Sequence, residues 1–293
     1  MKDFVTSSDH RTFGSARTVV GDCVIQSGIN NRMRNVRLIA RLDVKAPNLV
    51  KGIQFEGLRK LGDPNDFAQR YYQEGVDEIY YEDIVASLYD RNSLLDIVEK
   101  TTRDVFVPVT IGGGLRSVDD VAAVLRAGAD KVSVNSAAIR NPNIISDIAS
   151  RFGSQCMVLS VQAKRQHDSW EAYFDNGREH SGIDAIQWAE QGQALGAGEI
   201  LLTSVDQEGT GKGFDLSLLK AVSDQVDIPV VASGGMGCAQ DLVDAVKAGG
   251  ADAVAMAHVL HYDLCSLSEL REVCRLQEIP VRHSAHLDRD YDV

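Results

Sequence analysis

The 293-residue chain has few cysteines, no long apolar run and no excess of positive charge. Its five cysteines include no CxxC pair, so we expect reduced thiols and an intracellular, cytoplasmic protein rather than a disulfide framework. No segment approaches the roughly 18 consecutive apolar residues of a membrane span, and the first residues lack the apolar core of a signal peptide. The formal net charge of -12 argues against nucleic acid and anionic membranes as partners.

Eight short apolar runs alternate with segments of helical period between residues 37 and 282. Repeated strand–helix units predict a parallel sheet, and eight such units close a barrel, so we expect a single (β/α)8 barrel. Residues 1–36 and 283–293 show little periodicity. We interpret them as a loosely ordered N-terminal extension and a polar C-terminal tail.

An internal repeat divides the predicted barrel into two halves. Residues 107–137 read VPVTIGGGLRSVDDVAAVLRAGADKVSVNSA and align with residues 228–258, IPVVASGGMGCAQDLVDAVKAGGADAVAMAH. In the same way ARLDVK, which contains Asp43, aligns with LSVQAK, which contains Gln162. The spacing predicts two half-barrels of four units, with Asp43 and Gln162 on opposite sides of one mouth.

Glycine-rich loops follow the third and seventh predicted strands and precede helices. The active site of such a barrel lies at the C-terminal ends of its strands, and small residues there let a phosphate approach backbone N–H groups. Two related loops therefore predict two phosphate sites, which suit a substrate with a phosphate at each end. The residues predicted to bind substrate or phosphate are Lys51, Asp83, Gly113, Gly114, Asn135, Ser136, Asp206, Gly209, Gly234, Gly235, Ala257 and His258.

Three aspartates end predicted strands and could carry chemistry. Asp43 follows an apolar strand, has lysines near it in sequence and faces the mouth if the strand alternates, so we predict a catalytic role rather than a loop cap. Asp83 and Asp206 end the second and sixth strands and are interpreted as a symmetric pair that holds substrate hydroxyls.

Four charged residues of alternating sign stand at the beginnings of predicted strands. They are Arg37, Glu78, Lys131 and Glu199. At the bottom of the barrel they could form a ring of ion pairs around the axis. Two interpretations stay open, because charges at this face usually stabilise the fold, whereas a ring on the axis could also be a gate for a small molecule entering from below.

Taken together, these motifs resemble those of the cyclase subunits of imidazole glycerol phosphate synthase, from histidine biosynthesis. The resemblance runs from about residue 37 to residue 282. Its most specific pieces are LDVK (42–45), VKGIQF (50–55), IGGGLRSVDD, GADKVSVNSAA, RFGSQC (151–156), NGRE (176–179) and SGGMG. The related isomerase of the same pathway shares the half-barrel repeat but lacks VKGIQF and RFGSQC.

The resemblance implies an activity, a partner and residue roles. In this family a glutaminase docks on the bottom of the barrel and supplies ammonia, which passes the charged ring as a gate. The ammonia reacts at the mouth with a bisphosphorylated ribulosyl-aminoimidazole-carboxamide intermediate. The products are imidazole glycerol phosphate and aminoimidazole carboxamide ribotide. The resemblance implies that Asp43 is the first catalytic aspartate, and it implies no cofactor and no metal.

The chain departs from the family at the position of the second catalytic aspartate, where it has Gln162. A carboxyl group can give and take a proton near neutral pH, and an amide cannot. We therefore expect slow cyclisation, with Asp43 as the one remaining titrating catalyst. Glu208 also stands where the family favours aspartate, and His258 stands where a small hydroxyl residue helps to hold phosphate.

These departures leave two alternatives open. The chain could be a paralogue that delivers ammonia to a different phosphorylated or sugar substrate, for instance in surface-polysaccharide synthesis. It could also be a barrel that binds a glutaminase and has little catalysis of its own. The aspartate retained at position 43 and both glycine loops favour an enzyme over a pure binding module.

Overall fold

The structure is a computed structural model that describes residues 35–85 and 95–283. The segments interpreted as an N-terminal extension, 1–36, and a C-terminal tail, 283–293, lie outside these ranges apart from the three residues nearest the barrel. Within the described ranges, no helix is both long enough and apolar enough to cross a membrane.

Eight of the twelve strands in the described ranges form a closed parallel barrel. In chain order the strands are β1 (Arg37–Lys45), β2 (Asn48–Ile53), β3 (Glu56–Gly62), β4 (Glu78–Asp83), β5 (Val109–Gly112), β6 (Lys131–Val134), β7 (Met157–Gln166), β8 (Ser169–Phe174), β9 (Glu179–Asp184), β10 (Glu199–Ser204), β11 (Val230–Ser233) and β12 (Ala253–Met256). Strands β1, β4, β5, β6, β7, β10, β11 and β12 pair in that order, and β12 pairs with β1 to close the ring. The predicted (β/α)8 barrel is confirmed.

The remaining four strands form antiparallel extensions that the sequence analysis did not include among its strands. Strands β2 and β3 continue from the end of β1, and β8 and β9 continue from the end of β7. Because β1 and β7 are the first strands of the two half-barrels, each half carries its extension at the same place. Both extensions rise beside the mouth.

Ten helices lie in the described ranges, and local sequence signals fix several of their ends. They are α1 (Pro64–Gln73), α2 (Leu95–Asp104), α3 (Val118–Arg126), α4 (Ser136–Arg140), α5 (Asn143–Phe152), α6 (Ala185–Ala194), α7 (Leu216–Ser223), α8 (Ala239–Lys247), α9 (His258–His261) and α10 (Leu267–Leu276). The Asp63 side chain caps α1, and proline occupies its first position. Ser117 and Asp120 form a reciprocal capping box at α3.

The strands separate a large core from a small one. The large core packs the outward strand faces against the helices. The small core fills the barrel interior with Ile39, Tyr80, Val158, Leu201, Val231, Ala253 and Ala255. Because side chains alternate along a strand, residues two or four positions from Ile39 and Tyr80 also face inward. On β1 and β4 this alternation directs five charged side chains into the barrel interior. They are Arg37, Arg41, Asp43, Glu78 and Glu82.

Candidate active site

A first cleft at the C-terminal mouth brings together most of the residues predicted for one phosphate site. It has a volume of about 470 Å³. Its lining includes Glu82, Asp83, Gly113, Gly114, Arg116, Asn135, Ser136, Arg140, Gln162 and Asn176. Helix α4 begins here without a side-chain cap, so its first N–H groups are available to an anion. The two arginines add positive charge.

A second cleft has the corresponding position in the other half-barrel. Its volume is about 300 Å³. Its lining includes Arg41, Lys51, Glu208, Gly209, Gly234, Gly235, Ala257 and His258. Helix α9 begins at His258, again without a side-chain cap. Burial and the nearby Lys51 ammonium lower the pKa of the His258 imidazole, which favours its neutral form.

Glycine is required in both loops because the chain turns tightly against a neighbouring backbone. Gly113 has φ +88° and Gly235 has φ +118°, a backbone conformation that other residues rarely adopt. A β-carbon at Gly113 would overlap the carbonyl oxygen of Asp83, and one at Gly235 would overlap that of Gly213. The two loops therefore hold their backbone close around each cleft.

The interpretation of Asp83 and Asp206 as a symmetric pair is wrong. Asp83 is the last residue of β4 and lines the first cleft. Asp206 lies beyond the end of β10 and is exposed, and its Oδ2 accepts a hydrogen bond from the backbone N–H of Arg165 at 2.8 Å. The repeat itself places Ser204 opposite Asp83, because GVDEIYYEDI aligns with GAGEILLTSV. The structure therefore separates Asp206 from both clefts.

Asp43 is buried in a network of ion pairs. Its Oδ1 accepts from Nε of Arg41 at 2.9 Å, and its Oδ2 accepts from Nζ of Lys51 at 3.1 Å. The Lys51 ammonium also donates to Glu208. Burial alone would raise the pKa of Asp43, but Arg41 and Lys51 outweigh burial and hold that pKa well below its usual value. Asp43 is therefore an ionised and doubly paired carboxylate.

Arg41, which the sequence analysis did not select, crosses the barrel interior below the mouth. Its Nη1 donates to Oγ1 of Thr203 at 3.2 Å and to Oγ of Ser233 at 3.0 Å. The guanidinium also packs against the rings of Phe55 and Tyr80. This single side chain thus connects β1 with β10 and β11 on the other side of the barrel.

Gln162 lies across the barrel from Asp43. The two residues are on β7 and β1, which are four strands apart in the closed ring, and Gln162 faces inward like Val158 four residues earlier. Gln162 is only 2% exposed, and its Oε1 has no hydrogen-bond partner among the described residues. A buried amide oxygen without a donor is costly, so the site has an acceptor that suits a substrate hydroxyl or amine.

Glu82 is a further buried carboxyl group at the mouth, and it is not among the site residues predicted from the sequence. It is paired in register with Asp43 on the neighbouring strand, and it lines the first cleft together with Gln162. The Tyr80 hydroxyl donates to its Oε2. Burial raises the pKa of Glu82 to about 7, although the Arg41 guanidinium opposes the shift. The signal in the sequence was alternation along β4, because Glu82 is four residues after the inward Glu78.

The predicted ring of ion pairs is present at the opposite end of the barrel. Nη1 of Arg37 lies 2.8 Å from Glu78, and Nζ of Lys131 lies 2.9 Å from both Glu78 and Glu199. Arg37 also contacts Glu199, which closes the ring. A narrow interior cavity lies above it, lined by Ile39, Glu78, Tyr80, Thr110, Val158, Glu199, Leu201, Val231 and Ala255.

The barrel, its two glycine-loop clefts and the buried carboxyl groups between them define a barrel enzyme with its site at the C-terminal mouth. The chain belongs to the histidine biosynthesis protein family, which it matches over residues 37–266. Within residues 35–85 and 95–283, no group of three or more His, Cys, Asp or Glu side chains is arranged to hold a metal ion.

The chain is similar to proteins named imidazole glycerol phosphate synthase subunit HisF. The protein from Legionella pneumophila is 63% identical over 206 residues, which are 70% of this chain and 97% of that relative. The protein from Myxococcus xanthus is 48% identical over 246 residues, 84% of this chain and 97% of the relative. The protein from Dehalococcoides mccartyi is 47% identical over 250 residues, 85% of this chain and 99% of the relative.

The raised pKa of Glu82 predicts a specific pH dependence of stability. A carboxyl group whose pKa is higher in the folded than in the unfolded state destabilises the fold as pH rises from its unfolded pKa to its folded pKa, here about 7. Glu82→Gln removes this loss. Between pH 5 and pH 8 the unfolding free energy of the wild type should therefore fall by about 2–3 kcal/mol more than that of the variant.

Urea unfolding at pH 5 and pH 8 measures this difference. Glu190→Gln is the matched control, because Glu190 is an exposed glutamate on α6. The control should follow the wild-type pH dependence. If Glu82→Gln does so as well, the Glu82 carboxyl group is already ionised at pH 5 in the folded protein.

Proposed function

We propose that this chain is the cyclase subunit of an imidazole glycerol phosphate synthase. In this role it is a lyase of histidine biosynthesis that uses ammonia to convert the bisphosphorylated ribulosyl intermediate into imidazole glycerol phosphate and aminoimidazole carboxamide ribotide. The family match over residues 37–266 and the names of the similar proteins support the proposal. The observation that carries it is the pair of glycine-loop clefts on either side of the buried carboxyl groups.

The arrangement of the mouth suits a substrate with a phosphate at each end. Each half-barrel contributes one cleft with an uncapped helix start. Glu82 and Gln162 line the first cleft, and Asp43 is paired with Lys51, which lines the second. Bound in this way, the substrate would present its central carbons to these three residues. The names of the similar proteins give no support to a different substrate or to a barrel without catalysis of its own.

The residues between the clefts have distinct roles in this proposal. Asp43 stays an anion and stabilises the positive charge that develops on the substrate nitrogen. Gln162 accepts a hydrogen bond from a neutral substrate group, since its Oε1 is buried and unpartnered in the described structure. Lys51 pairs with Asp43 and also lines the second cleft. Its ammonium is therefore placed to contact both Asp43 and a phosphate bound in that cleft.

The first test is turnover of the ribulosyl intermediate with ammonium chloride as the nitrogen source. We expect the wild type to release aminoimidazole carboxamide ribotide. Asp43→Asn removes a buried charge from the reacting centre and should lower kcat by at least about 100-fold. Asp66→Asn is the matched control, because Asp66 is exposed on α1 outside the barrel, and it should keep wild-type turnover. A wild type that releases neither product would contradict the proposed function.

The partner in this proposal is a glutaminase that docks at the strand-beginning end of the barrel. The word "subunit" in the relatives' names supports a complex. At this end the Phe106 side chain is 75% exposed. It borders a hollow of about 710 Å³ that is also lined by Arg37, Asp77, Pro108 and Arg282. An exposed aromatic ring beside buried charge pairs is typical of a protein-binding surface.

The ring and the interior cavity give ammonia a direct path in this proposal. The ring closes the lower end of the barrel around Arg37 and Lys131, and the cavity above it extends from Glu78 to Tyr80. Ammonia released by a docked glutaminase would enter through the ring without reaching bulk solvent. The ring pairs are partly buried, so breaking one of them costs more free energy than breaking an exposed surface pair.

The gate interpretation predicts a difference between two nitrogen sources. Lys131→Ala leaves Glu78 and Glu199 with a single cation, which should disturb the ring and the face that the glutaminase meets. Glutamine-driven turnover should fall several-fold more than ammonium-driven turnover, because free ammonium can reach the mouth from solvent. Lys220→Ala, on the exposed face of α7, is the control. Equal losses with both nitrogen sources would make the ring purely structural.

The state of the cysteines is consistent with work in the reducing cytoplasm. The four cysteines in the described ranges are free thiols. Burial raises the pKa of Cys274 to about 11, so its thiol stays protonated and unreactive. Free and partly buried thiols are typical of proteins kept in reducing compartments.

A further inference from the structure

We propose that Glu82 is a catalytic acid–base group of this site and supplies the proton transfers that Gln162 cannot. The assignment rests on the proposed cyclase function and adds to it a residue that lies outside the two positions at which the resemblance implies catalytic aspartates. It also replaces the expectation that Asp43 is the one remaining titrating catalyst.

Glu82 lies close to the place where the missing carboxyl group would act. It faces inward from β4 in register with Asp43 on β1, and it lines the same cleft as Gln162. A substrate held between the two glycine loops would therefore have a carboxyl group beside it, although that group comes from a different strand. Gln162 and Glu82 together provide a neutral acceptor and a titratable group in one cleft.

The inward-facing side chains of β4 line the route that ammonia would take from the ring to the first cleft. Glu78 belongs to the ring, Tyr80 lines the interior cavity, and Glu82 lines the cleft. These three residues follow one another at two-residue steps, so they mark the lower end, the middle and the upper end of the barrel interior. Ammonia that leaves the cavity past Tyr80 reaches the substrate at Glu82.

The local structure holds one carboxyl oxygen of Glu82 in place. The Tyr80 hydroxyl donates to Oε2, and the Glu82 side chain lines the first cleft. Gly112 makes room for this pair, since a β-carbon there would lie 2.6 Å from Oε2 and would overlap the Tyr80 hydroxyl. Oε1 can therefore carry the proton toward the cleft while Oε2 is held in place.

Burial favours a neutral Glu82 at moderate pH. Several charged, titratable or polar groups face Glu82 or share its cleft. They are Arg41 and Asp43 from β1, Tyr80 and Asp83 from β4, Ser133 from β6, Gln162 from β7, and Arg116, Asn135, Ser136, Arg140 and Asn176 from the loops and helices around the cleft. The strand on its other side, β5, contributes only Gly112. Burial outweighs the attraction of Arg41, so the pKa of Glu82 rises to about 7.

The proton transfers balance without any further reactant. Ammonia adds to the carbonyl carbon of the ribulosyl chain, so that a C–N bond forms and the C=O double bond becomes single. One proton moves from the added nitrogen to the oxygen, which becomes a hydroxyl. Neutral Glu82 gives its proton to this hydroxyl, the C–O bond breaks, and water leaves. The nitrogen, now an iminium, returns one proton to the Glu82 carboxylate. The group is restored, and the net change is ammonia plus ketone to imine plus water.

The test is the pH dependence of ammonium-driven turnover in four proteins: wild type, Glu82→Gln, Gln162→Asp and the double variant. Glu82→Gln should lower kcat by about 100-fold, the lower end of the range for general acid–base catalysis, and should remove an inflection near pH 7. The double variant places a carboxyl group at position 162 and should recover at least about tenfold of the lost rate. Glu190→Gln, exposed on α6, controls for the loss of a glutamate.

The outcomes separate this assignment from the proposed function. Wild-type turnover that persists within about threefold in Glu82→Gln, with its pH inflection intact, overturns the Glu82 assignment and leaves the cyclase function standing. Loss of activity in Glu82→Gln without recovery in the double variant assigns Glu82 a structural role and also overturns it. A wild type without turnover overturns the proposed function and, with it, the assignment.

Discussion

A buried guanidinium, that of Arg41, sets the charge state of the whole mouth. A cation removed from water needs an anion in contact, and Asp43 supplies it. Lys51 then pairs with both Asp43 and Glu208, so two cations and two carboxylates balance. Glu82 is a further buried carboxyl group, and burial outweighs the attraction of the Arg41 guanidinium. Burial therefore dominates the pKa of Glu82, and the site combines an ionised Asp43 with a group that titrates near neutral pH.

The two clefts come from one repeat, yet they differ in charge. Arg116 and Arg140 line the first cleft, and Arg140 also pairs with Asp175 at 2.7 Å. In the second, Arg41 and Lys51 pair with Asp43, and Lys51 also pairs with Glu208, which adds a carboxylate to the lining. A phosphate bound there must rely on backbone N–H groups or compete with Glu208 for Lys51. The two phosphates of a bisphosphorylated substrate would therefore be bound by different interactions, so the substrate would bind in one orientation.

Much of this structure was predictable from sequence because local patterns determine it. The periods of the strands and helices predict the barrel, the glycine positions predict both clefts, and the charges at strand beginnings predict the ring. Arg41 and Glu82 were missed because the repeat drew attention to copied positions, and it pairs these residues with Ser160 and Thr203, which have no charge. Alternation from Asp43 and Glu78 would have revealed both. Which carboxyl group stays neutral could not be predicted, since it depends on contacts such as that of Lys51 with Glu208, 157 residues away.

The mouth combines an ionised Asp43 with a Glu82 that titrates near pH 7. Carbon-13 NMR of the side-chain carboxyl carbons, followed from pH 5 to pH 9 in wild type and in Glu82→Gln, measures both states. We expect one glutamate resonance with a midpoint of about 7 that is absent from the variant, and an Asp43 resonance that does not change over this range. A Glu82 resonance already at its ionised position at pH 5 would show that Glu82 is a permanent anion like Asp43.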